Sequence, residues 1–367
     1  MNILVDKDLK ELIEVFTNCE KFKVDILTSE EICNKAIKNC EAIFLRSTTK
    51  IDKKLIANSS VKFISSLTSG EDHINFQDIE NSNIYLSTGR GGNAFAVVEY
   101  FLSVLSILIM GNKITPFKSK IGIIGYGNIG KKIKFILDKI KYPNFVYDPY
   151  EIEAKNSLDD VLSCEVISLH CSYSKEGKFP SHHLLDDAVL KKIKDDQYVI
   201  NTSRGEVLSD AFYRAKEEQN NFIFDVWPSE SSTDFTKFTK PFIATPHIAG
   251  KTIDAEKKLT RKALGDFNSF FNESIEINDP QNDINFFVDN SIDKEIKTFG
   301  IPLSLILKIY DVNRDHMSFE RFFETSQKVS FQQFRTTLKR FGFSSHKILG
   351  DLNDESKSIL ELFGFRL

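Results

Sequence analysis

Three polar residues in the second half of the chain, Arg204, Glu230 and His247, have side chains that together could interconvert a hydroxyl group and a ketone beside a carboxylate. A guanidinium can hold a carboxylate through two parallel hydrogen bonds and polarise an adjacent carbonyl. A histidine can move a proton near neutral pH, as this reaction requires, and a carboxylate can orient and stabilise the imidazole. The three residues therefore predict acid–base chemistry on a small acid.

Each of the three residues also has an ordinary structural interpretation. Arg204 lies in Asn201-Thr-Ser-Arg-Gly205 and could be a surface arginine at a helix start, although its charge would then oppose the helix dipole. His247, in Thr245-Pro-His-Ile-Ala-Gly250, could be a turn residue, and Glu230 could be a loop acid. A functional role is favoured over these structural ones because all three residues follow apolar runs typical of strands. Strand ends in open α/β sheets face the ligand crevice.

A glycine-rich turn gives the second chemical signal. Residues 121–124 form an apolar run, and Gly125, Gly127 and Gly130 follow with the G-x-G-x-x-G spacing. In a dinucleotide site the first glycine permits a tight turn, the second lets the backbone approach a pyrophosphate, and the third lets helix pack on strand. The N–H groups at the start of the following helix attract phosphates. Alone, the same spacing can be only a strand-to-helix turn.

Asp148 strengthens the dinucleotide interpretation. It ends the next predicted strand, where an acid can accept hydrogen bonds from a ribose 2′-hydroxyl and would repel a 2′-phosphate. The alternative is an aspartate that caps the turn before Pro149. With the glycines in phase, the pattern predicts a site for NAD rather than NADP.

Two α/β series must position these residues. In the first series, apolar runs predict strands at 3–5, 23–26, 42–45, 62–66 and 84–87, and helical spacing occurs at 9–19, 30–39 and 53–58. In the second, strands are predicted at 120–124, 144–147, 165–169, 198–201, 222–226 and 242–244, and helices at 129–140, 188–194 and 210–218. The alternation predicts parallel sheets covered by helices, and the second series matches the doubly wound (Rossmann) nucleotide-binding plan.

Two further segments complete the organisation. Long helices are predicted at 93–110 and 251–272, and the second should return the chain from the nucleotide domain to the first domain. After residue 273 the βαβ alternation stops, and aromatic segments at 319–323 and 331–343 are mixed with charges. This tail is too apolar for a disordered segment. We expect a small α+β module there.

Composition excludes several classes of protein. The 367 residues are 41% hydrophobic and 27% charged, which is typical of globular proteins of two or three domains. The net charge of −4 gives no reason to expect nucleic acid or an anionic membrane as a partner. An odd number of cysteines without a C-x-x-C pair, and no visible signal peptide, favour reduced thiols in the cytoplasm.

His182 and His183 lack acid or thiol neighbours at metal-ligand spacing, so we expect no metal.

With these motifs in place, the sequence resembles the D-isomer-specific 2-hydroxyacid dehydrogenases over nearly its whole length. Segments 125–130, 201–205, 224–227 and 246–250 are similar to motifs of the whole family. Segments 3–6, 45–50, 68–73 and 92–100 also contribute. The tail segment Tyr310-Asp-Val-Asn-Arg-Asp315 narrows the resemblance to a subgroup that oxidises 4-phospho-D-erythronate and carries a C-terminal dimerisation module.

The resemblance implies a role for each matching position. Arg204 is expected to be the catalytic arginine, Glu230 the supporting acid and His247 the acid/base. Expected NAD contacts are Gly125, Gly127, Asn128, Ile129, Gly130, Asp148, Cys171, Thr202, Ser203, Asp225 and Gly250. Expected substrate contacts are Ser47, Thr68 and Lys251. Three places depart from the pattern. Lys251 stands where the subgroup often has tyrosine, and Cys171 replaces a usual threonine. The Trp227-Pro-Ser-Glu230 loop differs from the usual acidic-Gly-Glu-Pro run, although Glu230 keeps its register.

The resemblance also implies an architecture and an activity. We expect a flavodoxin-like substrate domain (1–92 and 251–280), a Rossmann NAD-binding domain (93–250) and a C-terminal dimerisation domain (281–367). The expected enzyme is a homodimer that oxidises 4-phospho-D-erythronate with NAD in vitamin B6 biosynthesis. Two alternatives remain, namely a dehydrogenase for 3-phosphoglycerate or glyoxylate/hydroxypyruvate, and an NAD-sensing interaction protein like the corepressors built on this fold.

Overall fold

The structure, a computed structural model, describes residues 1–215, 221–230, 235, 238–277, 284–325 and 330–367. The chain divides into two compact units. The first unit comprises Met1–Asn93 and Asp254–Asn282, and the second comprises Ala94–Ile253 and Asp283–Leu367. Residues of the tail and of the nucleotide-binding series therefore lie in the same unit.

The first unit contains a five-stranded parallel sheet. Its strands are β1 (Asn2–Asp6), β2 (Lys23–Leu27), β3 (Ala42–Leu45), β4 (Phe63–Ser66) and β5 (Tyr85–Thr88), in the order β2-β1-β3-β4-β5. Its helices are α1 (Lys10–Thr17), α2 (Asn34–Ile37), α3 (Lys53–Ile56), α4 (Phe76–Glu80) and, numbered in chain order, α10 (Ile253–Phe271). This strand order is the flavodoxin-like one, which confirms the expected fold.

Aromatic rings join α10 to this sheet. The ring of Phe267 lies 5.1 Å from Phe16 on α1 and 5.7 Å from both Phe44 and Phe63 on the strands, measured between centroids. All four side chains are almost completely buried. Pairs at such distances add about 0.5–1.5 kcal/mol each beyond their area burial. The return of the chain predicted from the length of α10 therefore has a physical basis in a phenylalanine cluster.

The second unit contains a six-stranded parallel sheet. Its strands are β6 (Ile121–Ile124), β7 (Asn144–Tyr147), β8 (Val166–Leu169), β9 (Tyr198–Asn201), β10 (Phe222–Phe224) and β11 (Ile243–Ala244), in the order β11-β10-β9-β8-β6-β7. The accompanying helices are α5 (Ala94–Met110), α6 (Asn128–Lys139), α7 (Leu158–Leu162), α8 (Asp187–Leu190) and α9 (Asp210–Tyr213). The winding direction reverses between β6 and β8, and ligands bind at such a point beyond the carboxyl ends of the strands.

The short helices are where the sequence predictions were least accurate. The helices α4 and α7 were not predicted, because five residues give too little periodicity, and a Ser157–Asp160 capping box defines the start of α7. The observed α8 ends at Leu190, four residues before the predicted end. The predicted helix at 210–218 is helical as far as Tyr213, and residues 216–220 lie outside the described part of the chain.

The tail contains both helices and strands. It comprises β12 (Ile284–Phe287), α11 (Ser291–Phe299), α12 (Leu303–Ile309), α13 (Val312–Thr325), α14 (Phe331–Thr337), β13 (His346–Leu349) and α15 (Asp354–Leu362), with β12 and β13 paired in parallel. The hydroxyl of Ser103 on α5 donates to the carbonyl of Tyr310 and accepts from the N–H of Val312. The tail thus covers α5, which is why most residues of that helix, polar ones included, are buried. No helix in the described ranges is long and apolar enough to cross a membrane.

A buried ion pair also joins the tail to α5. Arg340 Nη1 donates to Glu99 Oε2 at 2.9 Å, and these side chains are only 12% and 4% exposed. The other Glu99 oxygen accepts from the N–H of Phe343 at 2.8 Å, and Arg340 lies 3.9 Å above the ring of Tyr310. Both charges are therefore paired and hydrogen-bonded, as burial requires.

We predict that Arg340→Met destabilises the second unit by about 3–5 kcal/mol, because it leaves the buried Glu99 carboxylate without its partner. The single tryptophan, Trp227, is buried in this unit, so its fluorescence during urea unfolding gives the measurement. Lys134→Met, which breaks a surface pair with Asp138, is the control and should cost about 0.3–0.5 kcal/mol. Equal losses in the two variants would contradict a dominant role for the buried pair.

Candidate active site

The glycine turn between β6 and α6 has two glycines fixed by packing and one that faces open space. Gly125 has φ +99°, and a Cβ there would lie 2.5 Å from the backbone nitrogen of Cys171. A Cβ on Gly130 would collide with the carbonyl oxygen of Gly125. At Gly127, in contrast, a Cβ would meet no atom of the described structure within 4 Å. The turn therefore leaves room at the one glycine where a pyrophosphate must approach the backbone.

The start of α6 has the properties of a phosphate site. Gly127 is the N-cap, and no side chain in the described ranges caps this end of the helix. The first helical residues, Asn128 and Ile129, therefore present backbone N–H groups at the positive end of the helix dipole. These residues fit the phosphates of a dinucleotide.

Asp148 lies beside this turn. Its carboxylate accepts from the N–H of Tyr126 at 2.8 Å, and from the N–H of Tyr150 at 3.0 Å. The second bond is the local cap that the sequence allowed as an alternative, while the first holds the carboxylate against the glycine loop. The two interpretations are compatible, since each oxygen keeps capacity to accept a further hydrogen bond.

The ends of β8 and β9 contribute Cys171, Thr202 and Ser203. Burial raises the pKa of the Cys171 thiol to about 12, although the hydroxyl of Ser203 and the charge of Arg204 oppose this effect. The thiol is therefore neutral, and the backbone of Cys171 lies directly against Gly125. The Cys171 thiol therefore lines the site as an unreactive group and is not a nucleophile.

Thr202 is anchored by a histidine that the sequence did not single out. The hydroxyl of Thr202 contacts Nδ1 of His170 at 3.0 Å, and Nε2 of His170 contacts the hydroxyl of Ser168 at 2.8 Å. Burial lowers the pKa of His170 to about 3, so its imidazole is neutral. This histidine supports the end of β9 and does not carry protons at neutral pH.

Arg204 is positioned by the side chain of Asn201. The amide of Asn201 donates to the carbonyl of Arg204 at 3.0 Å, and its oxygen accepts from the N–H and the hydroxyl of Ser203 at 3.0 and 2.7 Å. A Cβ on the next residue, Gly205, would collide with the backbone of Trp227. The turn that carries Arg204 therefore lies directly against the segment that leads to Glu230.

Glu230 and His247 form a hydrogen-bonded pair. Oε2 of Glu230 lies 2.7 Å from Nδ1 of His247, and the N–H of Trp227 donates to Oε1 at 3.3 Å. Burial by itself would raise the pKa of Glu230, but the charge and hydrogen bond of His247, with Arg335 and the Trp227 N–H, hold that pKa below its ordinary value. An ionised carboxylate only accepts, so Nδ1 carries a proton and Nε2 of the neutral ring is the basic nitrogen.

The backbone around His247 is held by Asp225. His247 has φ +55°, in the left-handed region, and its N–H donates to the carbonyl of Asp225 at 2.6 Å. The carboxylate of Asp225 accepts from the N–H groups of Ile248 and Ala249 at 2.7 and 2.9 Å, and from the hydroxyl of Thr245 at 2.7 Å. Asp225, expected only as a cofactor contact, thus also fixes the loop that presents the imidazole. Gly250 follows this loop directly.

The expected substrate contacts lie in both units. Ser47 and Thr68 follow β3 and β4 in the first unit, and the Thr68 hydroxyl contacts the hydroxyl of Ser66 at 3.2 Å. Lys251 is in the second unit, where its ammonium donates to the carbonyl of Arg335 at 2.8 Å. Among the described residues, no cluster of three His, Cys, Asp or Glu side chains has the arrangement of a metal site.

Comparison with known proteins decides the family. Residues 110–249 match the model of the D-isomer specific 2-hydroxyacid dehydrogenase NAD binding domain. The erythronate-4-phosphate dehydrogenase of Marinomonas sp. (strain MWYL1) is 32% identical over 269 residues, which cover 71% of this chain and 70% of that protein. The chain belongs to the erythronate-4-phosphate dehydrogenase family.

Members of the erythronate-4-phosphate dehydrogenase family match the tail as well as the sheets. The enzyme of Proteus mirabilis (strain HI4320) is 27% identical over 100% of this chain and 99% of its own length. Among solved structures, the NAD-dependent formate dehydrogenase of Staphylococcus aureus in complex with NAD has a TM-score of 0.62 and 22% identity, and covers 75% of this chain and 97% of its own. The expected Rossmann fold and NAD as cofactor are confirmed.

We predict that Gly127→Ala weakens NADH binding by about tenfold or more, because the added methyl group enters the space left for the pyrophosphate. The urea unfolding midpoint should stay unchanged, since no described atom lies within 4 Å of that methyl position. Quenching of Trp227 fluorescence on NADH addition gives the affinity. Gly265→Ala, equally uncrowded but on α10, is the matched control and should bind NADH like the wild type. Unaltered affinity in Gly127→Ala would place the pyrophosphate elsewhere.

Proposed function

We propose that this protein oxidises the 2-hydroxyl of 4-phospho-D-erythronate to give 2-oxo-3-hydroxy-4-phosphobutanoate, with NAD as the oxidant, in the biosynthesis of pyridoxine 5′-phosphate (vitamin B6). The reaction type is supported above all by the Glu230–His247 pair, in which Oε2 and Nδ1 are 2.7 Å apart. The pair lies at the strand ends of an NAD-binding sheet. The choice of substrate is supported by the likeness to an erythronate-4-phosphate dehydrogenase, which extends over the full length of the chain. The solved formate dehydrogenase, in contrast, covers only 75% of the chain.

His247 would remove the hydroxyl proton. With Nδ1 donating to Glu230, the lone pair of Nε2 is available to the 2-hydroxyl group. Glu230 fixes this tautomer and stabilises the imidazolium that forms when the proton arrives. NAD, when bound, accepts the hydride that leaves C2.

Arg204 would hold the substrate carboxylate. Its guanidinium can bind the C1 carboxylate through two hydrogen bonds and also contact the oxygen on C2. Because negative charge grows on that oxygen as the proton leaves, a cation beside it favours the transition state. The Asn201 side chain, which fixes the Arg204 turn, would keep this contact in register.

The remaining expected roles belong to the same proposal. Ser47, Thr68 and Lys251 would contact substrate. The substrate phosphate requires cations, and the candidates by position are Arg46, Lys50, Arg90 and Lys251. Arg46 is paired with Asp8, Lys50 lies 3.3 Å from Asp52, and Arg90 lies 3.9 Å from Glu71. These acids would orient the cations rather than neutralise them fully, since the pairs lie near solvent.

We also propose the domain roles that follow from family likeness. Residues 1–92 and 251–280 would bind substrate, 93–250 would bind NAD, and 281–367 would mediate a homodimer. Five cysteines without a disulfide among the described residues support a cytoplasmic location.

The test is NADH formation from NAD and 4-phospho-D-erythronate, compared with 3-phosphoglycerate and other 2-hydroxy acids. We predict that His247→Asn lowers kcat by about 10²–10⁴-fold, because asparagine keeps polar atoms but cannot take up a proton. NADH affinity should be retained, which separates loss of the base from loss of the fold. Turnover by the variant at the wild-type rate would exclude His247 as the base, and turnover of other 2-hydroxy acids alone would exclude the substrate.

The charge of Glu230 makes a separate prediction about turnover. Glu230→Gln keeps an oxygen that can accept from Nδ1 but removes the counter-charge of the imidazolium that forms when His247 takes the proton. We expect kcat/KM to fall roughly 10- to 100-fold, because that charge is no longer stabilised. A kcat/KM equal to that of the wild type would contradict this electrostatic role.

A further inference from the structure

Four hydrogen bonds among the described residues join a segment of the tail to the loop that carries His247. Nε of Arg335 donates to the carbonyl of His247 at 2.7 Å, and Nζ of Lys251 donates to the carbonyl of Arg335 at 2.8 Å. The N–H of Ile253 donates to the carbonyl of Arg340 at 2.9 Å, and Nη2 of Arg340 donates to the carbonyl of Ala249 at 2.9 Å. Every second residue from 247 to 253 is therefore tied to the tail.

The Arg335 contact complements the contacts made by Asp225. Asp225 accepts the N–H groups of His247, Ile248 and Ala249, whereas Arg335 donates to the carbonyl of His247 itself. His247 has a φ of +55°, a backbone conformation that costs free energy. It persists only where neighbouring groups impose it. The guanidinium therefore holds the side of the His247 peptide that Asp225 does not reach.

Arg335 also acts on Glu230 through its charge. Its guanidinium is one of the groups that lower the pKa of Glu230, after the charge and hydrogen bond of His247. One side chain of the tail thus influences both members of the acid–base pair, one through a hydrogen bond and the other through electrostatics.

We propose that Arg335 is a positioning residue for the acid–base pair, and that the tail thereby serves catalysis within its own subunit in addition to any role in dimerisation. Arg335 sets the carbonyl of His247, and with it the direction of the imidazole towards Glu230 and the substrate. The inference about catalysis rests on the proposed function.

Arg340 anchors the tail, whereas Arg335 positions His247. Arg340 pairs with Glu99, donates to the carbonyls of Ala96 and Ala249, and stacks on Tyr310. These contacts do not involve Arg335. Replacing Arg335 should therefore leave the tail attached, so its effect on His247 can be measured in a folded protein.

The experiment compares Arg335→Ala with Lys339→Ala, a matched control that removes an exposed cation from the same segment. In Arg335→Ala we expect kcat to fall about 10- to 100-fold, with NADH affinity and the urea midpoint retained, because a small displacement of a catalytic group suffices for such a loss. Millimolar guanidinium should restore part of the activity of Arg335→Ala and none of the activity of His247→Asn. Lys339→Ala should behave like the wild type.

A spectroscopic readout separates this inference from the proposed function. In protein labelled with ¹⁵N-histidine, the Nδ1–H signal of His247, assigned by its loss in His247→Asn, reports the hydrogen bond to Glu230 without any substrate. We expect Arg335→Ala to shift or broaden this signal, and Lys339→Ala to leave it in place. The inference would be overturned if Arg335→Ala left the Nδ1–H signal or kcat unchanged. It would also be overturned if Arg335→Ala lost both activity and fold and guanidinium restored neither. Absence of turnover in the wild type would refute the proposed function while the signal still tests Arg335.

Discussion

The site depends on one backbone constraint, the left-handed turn at His247 that Asp225 holds at the carboxyl end of β10. An L-residue adopts φ +55° only when its surroundings compensate for the cost, and the buried carboxylate of Asp225 does so by accepting three hydrogen bonds from residues 245–249. This turn directs the imidazole at Glu230 instead of along the strand. The Glu230–His247 hydrogen bond is therefore a consequence of where the parallel strands end and of how one carboxylate binds the following loop.

The ends of parallel strands also explain why candidate site residues could be chosen from the sequence. Parallel strands of a doubly wound sheet end at one edge, so a polar residue after each apolar run is expected to share that edge. Arg204, Glu230 and His247 could be selected from the sequence for this reason. The three glycines could be selected by spacing, although only the packing around them separates Gly127, which faces open space, from Gly125 and Gly130.

Other features could not be predicted, because they depend on contacts between distant parts of the chain. Arg335 is 88 residues from His247, and no periodic pattern relates the two positions. Asn201 and His170 support the strand ends through side-chain bonds that their residue types alone do not indicate. Many of the 32 phenylalanines also belong to the buried cores, where contacts between distant segments decide their neighbours. Phe319 of the tail, for example, packs 5.8 Å from Trp227, at the base of the loop that leads to Glu230.

In the proposed reaction, C2 of 4-phospho-D-erythronate loses its hydrogen as hydride to NAD while the protein removes the hydroxyl proton. Substrate deuterated at C2 tests this hydride transfer when the reduced cofactor is analysed by mass spectrometry. We expect each reduced cofactor to carry one deuterium and the reaction to be slower than with unlabelled substrate. Reduced cofactor without deuterium, or no reduction at all, would exclude hydride transfer from C2.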